Sequence, residues 1–168
     1  MSGLVIYNSK YGSTKEYAVE LAKKMKWEAL SYKNVNAGKF NETKEIVLAS
    51  SVRMGKMKIT GWAKNKADLL KDKCKAVIAV GGTESGKQDY YVEIVEKNLP
   101  FLNLKKDQIY GLGGRQIISE MKGFDAFVFK MLDKMMKDDD ERKKEILQEV
   151  DHMDMKLLDP IVTYLKNS

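Results

Sequence analysis

Apolar residues along this chain follow two rhythms. Four short runs, "GLVIYN" (3–8), "KEIVLASS" (44–51), "KAVIAVGG" (75–82) and "QIYGLGG" (108–114), are apolar at consecutive positions and close in small or polar residues. Runs rich in Val and Ile without alternation predict parallel strands buried on both faces, as in a sheet covered by helices. A fifth stretch, "WEALSYKNV" (27–35), is more polar and suits an edge strand. Between the runs the spacing becomes helical. Tyr17, Ala18, Leu21, Ala22 and Met25 share one face, and Tyr90, Ile94, Val95 and Leu99 define another over 89–99. Ile59, Trp62, Ala63, Lys66 through its stem, and Leu70 form a looser stripe. Strands alternating with helices predict an α/β fold, doubly wound because right-handed crossovers lay helices on both faces of the sheet.

Past Gly114 the rhythm changes again. Met121, Phe124, Phe127, Val128, Met131, Leu132, Met135 and Met136 form an apolar stripe at helical spacing, and a last helix pattern runs from Met155 to Leu165. The ordinary expectation for such a stripe is a helix packed on the sheet or on a neighbouring helix. The sharper alternative is a face for a membrane surface or a partner, given its adaptable methionines, its aromatics and the lysines beside them. With only Pro100 and Pro160, no repeats and no linker-like stretch, the chain reads as one domain over 1–168. The helical segment 118–150 is then an insertion or extension before the last helix.

Composition narrows the class of partner. A chain of 168 residues is enough for one well-buried core without staples or metals. The formal charge is +6, from 30 Lys and Arg against 24 Asp and Glu, which favours anionic partners but selects none. Nucleic acid is not expected, because there is no recognition helix, no aromatic RNP-type strand and no zinc ligand set. The single cysteine, Cys74, can form no internal disulfide, and the opening "MSGLVIYNSKYG" has no basic leader. No apolar run approaches the ~18 residues that cross a bilayer. The expectation is a cytoplasmic protein, with a peripheral place at the inner face of the membrane as the alternative.

In an open doubly wound sheet, ligands bind beyond the carboxyl ends of the strands, where the strand order reverses. Three loops occupy that position: "SKYGST" after the first strand, "SSVRMGKMK" after the third and "GGTESGKQDYY" after the fourth. In the first, Gly12 permits a tight turn, and Ser9, Ser13 and Thr14 place hydroxyls where a helix begins with unpaired N–H groups. That combination suits a phosphate, with Lys10 and Lys15 at the mouth. The plainer reading is a helix cap, which needs one hydroxyl where this loop has three.

Two other phosphate chemistries fit less well. "GGTESGKQ" (81–88) matches the spacing of a nucleotide-binding P-loop, but Gln88 replaces the Mg²⁺-ligating hydroxyl and no aspartate ends the next strand. A response-regulator domain needs acidic residues where this chain has Asn8 and Ser50. The one histidine, His152, lies in the acidic stretch "EVDHMDMK", far from the loops. No catalytic side chain and no metal ligand set is expected, so any redox or transfer chemistry would belong to a cofactor.

The hydroxyls around a glycine after a first strand resemble the phosphate loop of flavodoxins, usually S/T-x-T-G-x-T. Ser9, Gly12 and Thr14 match, while Tyr11 replaces a threonine. The sequence is closer still to the flavodoxin-like menaquinone-dependent protoporphyrinogen dehydrogenases, through the opening loop, "ASSVRMGKMK" and "FDAFVFKMLDKMM". The resemblance implies a five-stranded parallel sheet in the order 2-1-3-4-5 and FMN as cofactor. It places the phosphate on Ser9, Lys10, Tyr11, Gly12, Ser13 and Thr14. The ring would lie between Ser50, Ser51, Val52, Arg53, Met54 and Gly55 on one side and Gly82, Thr83, Glu84 and Tyr90 on the other. Met54 is the candidate for one ring face and Tyr90 or Tyr91 for the other.

Function is then expected to be electron transfer with a redox partner protein or a quinone, with an anionic membrane surface as a further partner. A quinone-dependent flavin enzyme and a non-flavin phosphate-binding module are the alternatives. Unlike acidic flavodoxins, this chain sets Arg53, Lys56, Lys58 and Lys87 in or beside the flavin loops. A cation ~7 Å from the ring at an effective dielectric of ~20 is worth on the order of 2 kcal/mol before screening, or roughly 0.1 V, which predicts a raised potential.

Overall fold

A computed structural model describes residues 2–82 and 87–168. The four apolar runs are strands: β1 (Gly3–Asn8), β3 (Glu45–Arg53), β5 (Cys74–Gly81) and β6 (Ile109–Gly113). The polar fifth stretch supplies only the short β2 (Glu28–Ser31), and Tyr32–Asn34 turns away as a 3₁₀ helix. These five strands are parallel in the order β2-β1-β3-β5-β6. A two-residue β4 (Lys56–Met57) folds back antiparallel on the end of β3. Setting β4 aside, this is the expected 2-1-3-4-5 order.

Strand residues alternate between two cores, which is why the runs read as continuously apolar. Leu4, Ile6, Ile46, Leu48, Val77 and Ala79 face one side, with α2 (Ala37–Glu42), α3 (Thr60–Lys64), α4 (Ala67–Leu70) and α5 (Gln88–Asn98). Val5, Val47, Ala49, Ala76, Ile78 and Val80 face the other, with α1 (Ser13–Met25) and α8 (Asp159–Asn167). Most of these side chains are fully buried. Fully burying a side chain of this size is worth about 1.5–3 kcal/mol.

Several helices differ from the pattern reading. α2 carries no amphipathic stripe and is started instead by Asn36, whose side-chain oxygen accepts from the Lys39 N–H (3.0 Å), with Phe40 as its one buried anchor. The looser stripe over 59–70 is not one helix but two short ones, α3 and α4, broken at Asn65–Lys66. On α5 the core-facing tyrosine is Tyr91, fully buried, while Tyr90 is 43% exposed. Tyr91 lies where Gly81 and Gly111 leave room: a Cβ on Gly111 would fall 2.0 Å from the Tyr91 ring. Those glycines seat an aromatic ring on the sheet.

After β6 the chain makes β7 (Arg115–Gln116), leaves the sheet through α6 (Gly123–Met135) and α7 (Glu141–Leu147), and returns as β8 (Val150–Asp151), antiparallel to β7. Of the two places expected for the Met121–Met136 stripe, the sheet and a neighbouring helix, only the second is met: α6 lies against α7 and adds no side chain to either core. No residue of α6 is buried, and Phe124, Phe127, Met131 and Met135 face solvent. Only Met121, before the helix, is buried.

Candidate functional site

β1, β3 and β5 end at one edge of the sheet, on either side of the point where the order reverses between β1 and β3. A cleft of about 450 Å³ opens there, within the range of small-molecule and cofactor sites.

Its base is the turn into α1. Gly12 is the N-cap at φ 101, a conformation glycine adopts without the Cβ clash other residues meet, and no side chain caps the helix. The plainer reading of the loop, a hydroxyl cap, therefore does not hold. Ser9 Oγ accepts from the Gly12 N–H (3.1 Å) and fixes the turn, and Ser13 Oγ accepts from the Arg115 N–H (3.1 Å). Ser9, Lys10, Tyr11, Ser13 and Thr14 all line the cleft, the last 1% exposed.

The second loop is a tight hairpin. Val52 pairs with Met57 and Arg53 with Lys56, leaving Met54 and Gly55 as a two-residue turn with φ 50 and 72. Positive φ at both positions is the type I′ geometry that matches strand twist. It holds Met54, 86% exposed, out at the cleft. Asn98 at the end of α5 clamps this hairpin, its amide nitrogen donating to Gly55 O (2.9 Å) and its oxygen accepting from the Met57 N–H (3.0 Å). Nothing in the sequence pattern marks Asn98, whose role depends on a contact across 41 residues.

Ser51, Val52, Arg53 and Met54 line the cleft, as do Gly82 and Tyr90. Three expected site residues do not. Gly12 and Gly55 shape turns, and Ser50 is fully buried, with its Oγ accepting from the Ile59 N–H (3.2 Å). Thr83 and Glu84 lie outside the described residues. Gln88, at the Mg²⁺-hydroxyl position of the P-loop spacing, bonds the β6 backbone instead: its amide donates to Gly111 O (2.7 Å) and accepts from Gly111 N–H (2.9 Å).

A further wall was not expected. Arg115 and Gln116 of β7, Phe129 of α6, Glu145 and Ile146 of α7, and Val150 of β8 close the side facing the loops. The Gln116 amide donates to Ile146 O (2.9 Å) and Gln148 O (3.2 Å), tying the end of α7 to β7. Tyr11, the departure from the phosphate-loop pattern, joins this wall to the cleft. Its hydroxyl donates to Asp125 Oδ2 on α6 (2.6 Å), and Lys10 Nζ reaches the same oxygen (2.6 Å). The Arg53 guanidinium lies 4.9 Å from the Tyr11 ring centroid, a cation–π contact.

These contacts set the local titration. Burial pushes the Asp125 carboxyl up, but the hydrogen bonds from Lys10 and Tyr11 and the charge of Arg53 outweigh it and hold it below its ordinary range. The Asp125 hydrogen bond in turn raises Lys10. Among the described residues no cluster of His, Cys, Asp or Glu could hold a metal ion. Burial pushes the Cys74 thiol up to about 12, so it is no nucleophile at neutral pH.

The cleft lies at the switch point of a parallel doubly wound sheet, the place where open α/β sheets carry their ligand sites. A family model described as a flavodoxin domain matches residues 4–143, and the chain belongs to that family. Among solved structures, Flavodoxin 2 from Bacillus cereus in its oxidised form is 14% identical, covers the whole of both chains and superposes with a TM-score of 0.51. A flavodoxin from Streptococcus pneumoniae TIGR4 is 18% identical over 66% of this chain and 79% of its own, with a TM-score of 0.49. At 14% identity the likeness to the Bacillus cereus structure speaks for the fold alone. No curated protein sequence matches.

Proposed function

We propose that this protein binds FMN and transfers electrons through it. The observation that carries the reading is the start of α1, where a left-handed Gly12 leaves the first-turn amides without a side-chain cap. Ser9, Ser13 and Thr14 line the cleft beside it. Such amides and hydroxyls fit a phosphate monoester and need no metal. Ser9 to Thr14 would hold the phosphate, and the hairpin Ser51–Gly55 on one side and Gly82 and Tyr90 on the other would flank the ring. Bound there, the flavin would supply one- and two-electron chemistry. The chain's residues orient it, and Phe129 and Ile146 narrow the access of water.

A second reading, a quinone-dependent flavin enzyme of the protoporphyrinogen dehydrogenase type, is favoured by the extra wall. Phe129 and Ile146 add apolar surface, and Arg115, Gln116 and Glu145 polar groups, beyond the three loops a flavin needs. Turnover with a soluble quinone separates an enzyme from a carrier.

The test is flavin titration. FMN is expected to bind, with absorbance near 450 nm, and riboflavin, which lacks the phosphate, at least about tenfold more weakly. Gly12→Ala forces a Cβ into the left-handed region at about 1–2 kcal/mol and is expected to weaken FMN but not riboflavin. Equal affinity for the two flavins, or none for either, overturns the reading.

A further inference from the structure

The outer face of α6 plays no part in the cleft. Phe129 lines the cleft, and Asp125 closes on Lys10 and Tyr11. On the opposite face Phe124, Phe127, Met131 and Met135 are 73%, 61%, 41% and 74% exposed. They sit at i, i+3, i+7 and i+11, one unbroken line along a helix about 20 Å long. The Phe124 and Phe127 ring centroids are 6.5 Å apart, so the line begins with an aromatic pair. Isolated exposed apolar residues are ordinary on a monomer, but a continuous row is the mark of a docking face.

Charge beside the row points to what it meets. At 100° per residue, Lys130 and Lys134 border the line on its solvent side, next to Phe127. The two acids of α6 itself are engaged elsewhere: Asp133 pairs with Lys143 (3.1 Å) and Asp125 with Lys10 (2.6 Å). No ion pair among the described residues involves Lys130 or Lys134. An apolar row bordered by uncommitted lysines matches an anionic headgroup layer, where the rings enter the acyl boundary and the lysines reach outward to phosphates. The area argues the same way. Four side chains at these exposures offer roughly 500 Å² of apolar surface, short of the ~800 Å² per side of a stable protein interface.

We propose that the outer face of α6 docks on an anionic phospholipid bilayer, through Phe124, Phe127, Met131 and Met135 with Lys130 and Lys134. No helix among the described residues is long and apolar enough to cross a membrane, so the contact is interfacial. Because the inner face of α6 lines the cleft, docking sets the cleft beside the headgroup layer. The contact itself uses no flavin-site residue and holds with or without cofactor.

Flotation of the full chain with vesicles tests this. Binding is expected to phosphatidylglycerol–phosphatidylcholine vesicles and not to pure phosphatidylcholine, and to fall with added salt. Lys130→Gln with Lys134→Gln should lower partitioning about 25-fold. Phe127→Ser with Met131→Ser should abolish it while leaving the circular dichroism spectrum unchanged. Failure of the wild type to float with anionic vesicles overturns the proposal, as does binding unaffected by both double substitutions. Sedimentation showing a dimer that the Phe127 and Met131 substitutions dissolve, without vesicle binding, assigns the face to a second copy and equally overturns it. Parallel flavin titration of the same preparations keeps this result separate from the FMN reading.

Discussion

Gly111 and Arg53 show how much a single position here depends on its neighbour across the fold. A Cβ on Gly111 would meet Tyr91 at 2.0 Å, against a ring held by helix and sheet. Gly111→Ala is therefore expected to destabilise by about 1–3 kcal/mol, the usual cost of overpacking, read as a lower urea midpoint at unchanged slope. Arg53 lines the cleft with its guanidinium on Tyr11 and forms no ion pair among the described residues. With FMN bound, Arg53→Ala should lower the midpoint potential by on the order of 50–100 mV, measured by potentiometric titration. An unmoved potential would remove electrostatic tuning by this residue.

Among the elements, α6 is held by polar contacts at its start, and those contacts titrate. The folded Asp125 carboxyl lies below its ordinary value near 3.8, so its bonds to Lys10 and Tyr11 stabilise the protein above that pH. The contribution is lost as pH falls through the lowered folded value. Lys10, raised in the folded state, keeps its charge well into the alkaline range and does not limit the contact near neutrality. Asp125→Asn should accordingly lower the melting temperature at pH 7. The gap from wild type should close as the pH is taken toward 3, and a gap that stays constant with pH would show that the carboxylate charge is not what holds α6.

For the molecule as a whole, both cores are complete without the segment between β7 and β8: none of the side chains from 118–150 belongs to either. The ends of that segment are adjacent, because Gln116 pairs with Val150 and Arg115 with Asp151. Replacing 118–148 by Asn-Gly should thus close a short hairpin and leave a cooperatively folding sheet, since loop excision at paired ends adds little strain. Cooperative melting with native-like far-UV circular dichroism is the expected result, together with a cleft open on one side. A molten product would show that the segment contributes to the core after all.

What the sequence determined by itself was whatever rests on local rules. Unalternating Val and Ile runs specify two-faced strands, the polar 27–35 stretch marks an edge, and a glycine among hydroxyls before a helix pattern marks the open start of α1. Contacts between distant residues decided the rest. Periodicity puts Tyr90 and Tyr91 on one helix, but only the gap over Gly81 and Gly111 selects Tyr91 for the core. Ser50 reads like its neighbour Ser51, yet the Ile59 amide draws it inward. An apolar stripe at 121–136 signals a helix without saying whether its row meets protein. The answer depends on which neighbours arrive, and here Asp125 turns one side of α6, with Phe129, to the cleft and leaves Phe124, Phe127, Met131 and Met135 uncovered.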